Sequence, residues 1–187
     1  MKKIILIIFC LFITACGANQ SAPKKMYIDK LDNISEDEKR IIFQAARRVN
    51  EEAGETLISF SKTETGKPVV FRSLVQTELS DDPSILAHAR YFEYHCLVEV
   101  RSDLKQTIMR SFLGRLNYQE GDYEALVEKD RRRVDDGMEF ALMHELGHCL
   151  GLDHSDDIED IMYPAIQPAW DQMNVDMFVD RIKRLFF

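Results

Sequence analysis

Apolar and polar positions in this chain follow two periods. A helical period runs through Ile41, Ile42, Ala45, Ala46 and Val49, the stripe of an amphipathic helix. Ser35 and Glu38 stand before it at capping-box spacing, in which each side chain takes the other's backbone amide. Gly54 is expected to end the helix. A period of two governs Tyr91 to Val100. Phe92, Tyr94, Cys96, Val98 and Val100 share one face, and Glu93, His95 and Glu99 share the other with Leu97. That alternation predicts one half-buried strand. Shorter strands are expected at 26–28, 57–60 and 69–75, the last two separated by a Gly66-Lys67-Pro68 turn. Val175, Phe178, Val179, Ile182, Leu185 and Phe186 form a second helical stripe, capped by Asn174, with acids early and bases late as the helix dipole favours. Residues 106–136 carry the weakest pattern. A helix is expected around 123–129, and Arg131-Arg132-Arg133 reads as a solvated helix end, with a docking patch as the alternative.

One run carries chemistry: His144-Glu145-Leu146-Gly147-His148-Cys149-Leu150-Gly151-Leu152-Asp153-His154. On a helix expected to start after Asp136, His144 and His148 lie one turn apart on one face and can hold one ion. Glu145 stands about 100° around the axis, beside that face, as a general base rather than a ligand. Gly151 lets the helix end and the chain turn back, so that His154 supplies a third nitrogen. Three protein ligands leave one position open for water, the arrangement of catalytic rather than structural zinc. Leu142, Leu146 and Leu150 face away from the ion and are expected to pack on the sheet.

Asp160-Ile161-Met162-Tyr163-Pro164 follows. With the zinc run it resembles the metzincin peptidases, and most closely the matrixins, through His154-Ser155, the step to Met162 and the Met-Tyr-Pro triplet. The resemblance implies an α+β fold. Its twisted, mostly parallel sheet has an antiparallel edge strand and packs on the active-site helix, with a C-terminal helix after the Met-turn. It implies one catalytic Zn2+ and an apolar floor at Met162. Leu86-Ala87-His88-Ala89 resembles the matrixin edge strand over the cleft. Ala87, His88 and Ala89 are therefore candidates for binding substrate as an added strand, an ordinary strand end being the alternative. The family's second, structural zinc is not expected, since no histidine precedes His88, and His88 and His95 are expected at the surface. Tyr163 sits one residue too early to match the zinc-binding tyrosine of astacins. Ile166 falls where matrixins often place a tyrosine on the S1′ wall, and no cysteine motif for propeptide latency is present.

The N-terminus differs in kind. Lys2 and Lys3 precede an apolar run from Ile4 to Ile13 that is too short for a mature membrane span. Ile13-Thr14-Ala15-Cys16 resembles a bacterial lipobox. This implies a signal peptide over 1–15, lipidation at Cys16, a tether over 16–25 and a peptidase domain over 26–187. Gly17 after the cysteine points to the outer membrane of the cell envelope; a plain secretory signal is the alternative. Net charge is −8, which excludes nucleic acid as a partner, because phosphate binding needs a basic patch. Of the remaining cysteines, Cys96 and Cys149 both point inward. They can form a disulfide in an oxidising compartment or stay as buried thiols.

The leading expectation is a monomeric zinc endopeptidase acting on proteins or peptides, with Glu145 as base. The alternatives are a zinc-holding lipoprotein that cleaves nothing and a hydrolase of a non-protein amide such as a cell-wall peptide link.

Overall fold

The computed structural model describes residues 25–62, 66–80, 82, 85–113, 126–165 and 175–186. The signal, Cys16, nearly all of the tether, Tyr123, Ile166 and Asn174 lie outside them. The described strands are β1 (Met26–Asp32), β2 (Ile58–Ser59), β3 (Lys67–Leu74), β4 (Ala87–Tyr91) and β5 (Cys96–Arg101). They form one sheet in the order β2-β1-β3-β5-β4. All neighbouring pairs are parallel except β4 with β5, so the antiparallel strand lies at the edge. The described helices are α1 (Glu36–Ala53), α2 (Gln76–Leu79), α3 (Leu104–Leu113), α4 (Glu128–Cys149) and α5 (Val175–Phe186). This is the α+β architecture expected.

Local signals decide α1. Ser35 Oγ accepts the Glu38 amide at 3.2 Å, and Glu38 Oε2 accepts the Ser35 amide at 2.7 Å. Gly54 ends the helix at φ 74°, a left-handed conformation that glycine adopts without strain. Ile41, Ile42, Ala45, Ala46 and Val49 are all buried, and α1 packs against α4 and α5. Its polar side still has work to do: Asn50 donates to the Ile58 carbonyl and accepts the Leu57 and Ile58 amides, holding the short edge strand β2.

Several boundaries differ from the sequence pattern. Tyr91 to Val100 is a hairpin rather than one strand, reversing at 92–95, where the Phe92 amide donates to the His95 carbonyl at 2.8 Å. No glycine or proline marks that turn. Phe92 and Tyr94 are exposed, and all six residues of β5 are buried rather than alternating. Lys67 and Pro68 lie inside β3 and not in a turn. The proline fits because the Lys67 amide points to β1, while pairing with β5 starts only at Val69.

The active helix starts at Glu128, not after Asp136, and Val127 caps it without a side-chain bond. Asp136 and Gly137 look like a cap and a break, yet Val134 and Met138 around them are buried, and that packing carries the helix through. Arg131-Arg132-Arg133 therefore opens α4 rather than ending a helix, and Glu128 pairs with Arg131 and Arg132. In α5, Phe178, Val179 and Ile182 are buried, but Leu185 in the last turn is 48% exposed. No described helix is long and apolar enough to cross a membrane.

Candidate metal centre

Leu142, Leu146 and Leu150 lie in the core and fix the rotation of α4. The helix then presents His144 and His148 on one face. Past Leu150 the chain reverses at Gly151, with φ 96°. The Gly151 amide reaches the His148 carbonyl and the Leu152 amide the Gly147 carbonyl, each at 2.9 Å. This reversal brings His154 back beside His148.

The three imidazoles converge. His148 Nε2 stands 3.1 Å from His144 Nε2 and 3.2 Å from His154 Nε2. Tetrahedral ligands about 2.0–2.1 Å from zinc lie roughly 3.3 Å apart, close to those separations. The opposite ring nitrogens set the tautomers. His144 Nδ1–H donates to the Ile161 carbonyl at 2.7 Å, and His148 Nδ1–H donates to the Leu152 carbonyl at 2.8 Å. A carbonyl only accepts, so both rings turn an unshared Nε2 lone pair toward one point. Burial pushes the His144 and His148 pKa values down to about 3 and about 4, which keeps both rings neutral. Burial lowers His154 as well. Two lone pairs that face each other, with a third imidazole nitrogen beside them, fit a divalent cation, and among the described residues this is the one cluster of potential ligands placed to hold one.

Glu145 is 6% exposed, and its Oε2 has no hydrogen-bond partner. Burial raises its pKa to about 8, against the pull of the Ala89 backbone amide on β4. The carboxyl thus lies between the active helix and the edge strand. Met162 is fully buried and packs against α4 at Gly147. Gly147 makes room for it, because a Cβ there would stand 2.5 Å from Met162 Sδ and 2.9 Å from Phe178 Cε2. Cys96 and Cys149 are disulfide-bonded, with Cα atoms 5.7 Å apart, and tie the residue after His148 to β5.

Ala87 and Ala89 lie on the edge strand as residues of β4. His88 and His95 are half-buried rather than exposed. His88 Nε2–H donates to Glu99 at 2.8 Å, and Arg90 also bonds that carboxylate. Sequence reasoning missed the roles of Asp160 and Arg181. Asp160 is fully buried in the Met-turn, and Arg181 on α5 bonds it at 2.9 Å. The two are distant in sequence, and no local pattern pairs them.

A mostly parallel sheet over a helix that carries two imidazoles, a third imidazole after a glycine reversal and a buried carboxyl beside them define a metallopeptidase-type centre. The chain belongs to the matrixin family of peptidases, which it matches over residues 18–185. A 50-residue stretch is 42% identical to Metalloendoproteinase 1 of Glycine max, covering 26% of this chain and 16% of that protein. The crystal structure of archaemetzincin from Methanopyrus kandleri aligns over 90% of this chain and 97% of its own, at 14% identity and a TM-score of 0.47.

Proposed function

We propose that this protein is a zinc-dependent endopeptidase that hydrolyses protein or peptide bonds, with His144, His148 and His154 holding the ion. The observation that carries the reading is the pairing of three convergent imidazole nitrogens with the unpartnered, buried Oε2 of Glu145. A bound zinc ion supplies Lewis acidity, activating a water and polarising the scissile carbonyl. Glu145 takes the proton of the attacking water at its carboxylate and hands it to the leaving amine. Burial raises the Glu145 pKa, a direction that suits a group that must return the proton it accepts. Met162 supports the imidazoles from below as an apolar floor. Substrate lies along the free side of β4 as an added strand, contacting the backbone of Ala87, His88 and Ala89. A protein that merely stored zinc has no chemical need for a carboxyl at 145.

Purified protein incubated with a diverse peptide library, with and without chelator, tests the activity. Cleavage that chelator stops, and that zinc restores, is the expected result. Glu145→Ala should cut turnover about 10²–10⁴-fold while zinc content stays unchanged by metal analysis. Full activity in that variant would falsify the assignment of the base. Products from cell-wall amides but not from peptides would redirect the substrate class.

The signal anatomy of residues 1–16 supports a lipid anchor at Cys16, a tether to residue 25 and a place at the outer membrane of the cell envelope. Labelled fatty acid should enter the wild-type chain and not Cys16→Ala. Equal labelling of both would dismiss the anchor.

A further inference from the structure

The C-terminal helix reaches the metal centre through one side chain. Arg181 Nη1 donates to Asp160 Oδ2 at 2.9 Å, and Arg181 Nη2 donates to the Asp153 carbonyl at 2.6 Å. Asp160 is fully buried, and its other oxygen accepts the Met162 amide at 2.9 Å. The residue between them, Ile161, offers the carbonyl that orients His144. Asp153 immediately precedes His154. A direct bond from the Ser155 amide to the Met162 carbonyl at 2.9 Å closes the ring of contacts. One guanidinium therefore joins α5, the Met-turn that aims the first ligand, and the loop that carries the third.

His144 and His148 come on a rigid helix, but His154 comes on a loop. A loop free to sample other positions must be ordered whenever the ion binds, and that ordering weakens binding. Groups that hold the ligands from behind therefore govern metal affinity. A guanidinium suits the task, since its planar fork presents several donors in fixed directions, whereas an ammonium is a compact point charge on a flexible stem. Asp160 has the complementary need. A buried carboxylate without a counter-charge is strongly destabilising, and Arg181 is the cation it bonds.

Resting on the zinc reading above, we propose that Arg181 and Asp160 are positioning residues of the metal centre, through which α5 sets the affinity of the three-histidine site. The pair touches neither ion nor substrate. It acts through the Asp153 backbone on His154 and through the Met-turn backbone on His144.

Zinc affinity, measured by competition with a chromophoric chelator, tests this on the full chain of Arg181→Lys, Arg181→Met and Asp160→Asn. Each should bind zinc about 10- to 100-fold more weakly, and Co2+-loaded protein should show an altered visible spectrum. Val179→Ala, which loosens the buried side of the same helix, should lose thermal stability while its folded fraction keeps wild-type affinity. Should Arg181→Met fail to fold, Arg181→Lys retains the charge and still separates the two effects. Wild-type affinity and an unchanged cobalt spectrum in both Arg181→Lys and Asp160→Asn would overturn the proposal. So would an equal loss of affinity in Val179→Ala. Absence of zinc binding by the wild type would sink the peptidase reading instead. The clamp is then read in metal-free protein, where the ring resonances of His144 and His154 move in Arg181→Lys if it holds them and stay put if it does not.

Discussion

Two clusters built around histidine lie close together in this molecule, and they differ in whether their bonds are complete. In one, the Glu99 carboxylate is 3% exposed and is surrounded by His88, Arg90 and, at 3.8 Å, Arg72. There Oε2 accepts from His88 and Arg90, and Arg72 offers the other oxygen a counter-charge. In the other, His144 and His148 donate their Nδ1 hydrogens to carbonyls, and the nitrogens left over face one another with only lone pairs to offer. Beside them Glu145 Oε2 is buried and unpartnered. The difference teaches that a histidine beside a buried carboxylate does not by itself mark a metal site. Unshared acceptors aimed at one point do.

The largest effect that separates the clusters is metal content. His148→Ala should lose most of its zinc by metal analysis, and His88→Ala should keep it; zinc lost equally from both would erase the distinction. The disulfide links the two regions, since Cys149 follows His148 and Cys96 begins the strand that carries Glu99. Replacing both cysteines by alanine should lower stability in denaturant titrations by about 2–4 kcal/mol, and no change would mean the link is idle. Gly147→Ala should cost about 1–3 kcal/mol through overpacking, because its methyl would collide with Met162 and Phe178. A variant as stable as wild type would show that the floor of the site yields freely.

Glu99→Gln is the smallest of these changes, at about 1–2 kcal/mol for a lost charge-assisted bond. Its pH dependence sharpens the comparison. Burial pushes the Glu99 carboxyl up, but the bonds from Arg90 and His88 outweigh it and bring the pKa below the ordinary value. A group lowered in the folded state adds stability that is fully present above its unfolded pKa and is lost as pH falls through the folded one. The stability gap between wild type and Glu99→Gln should therefore be full near neutrality and close in acid. Denaturant titrations across pH that show the gap widening in acid would refute a satisfied, charged Glu99.

The ligand run was readable because its geometry is local. Helical spacing puts His144 above His148, and a glycine at 151 permits the reversal toward His154. The capping box of α1 was readable for the same reason, since Ser35 and Glu38 need only each other. The hairpin at 92–95 was not readable, because apolar residues keep alternating through a turn that has neither glycine nor proline. The start of α4 misled in the opposite sense: Asp136-Gly137 has the chemistry of a boundary, but Val134 and Met138 are buried on either side.

Residue order alone thus determined the three imidazoles that converge, the carboxyl beside them and the helices that repeat every turn, because each depends on neighbours a few residues away. Only the tertiary structure decided that Cys96 meets Cys149, and that Arg181 on α5 grips Asp160 and the Asp153 carbonyl. Those contacts join segments far apart in the chain. What creates them is burial of apolar surface from many elements at once, and no short window of sequence contains that sum.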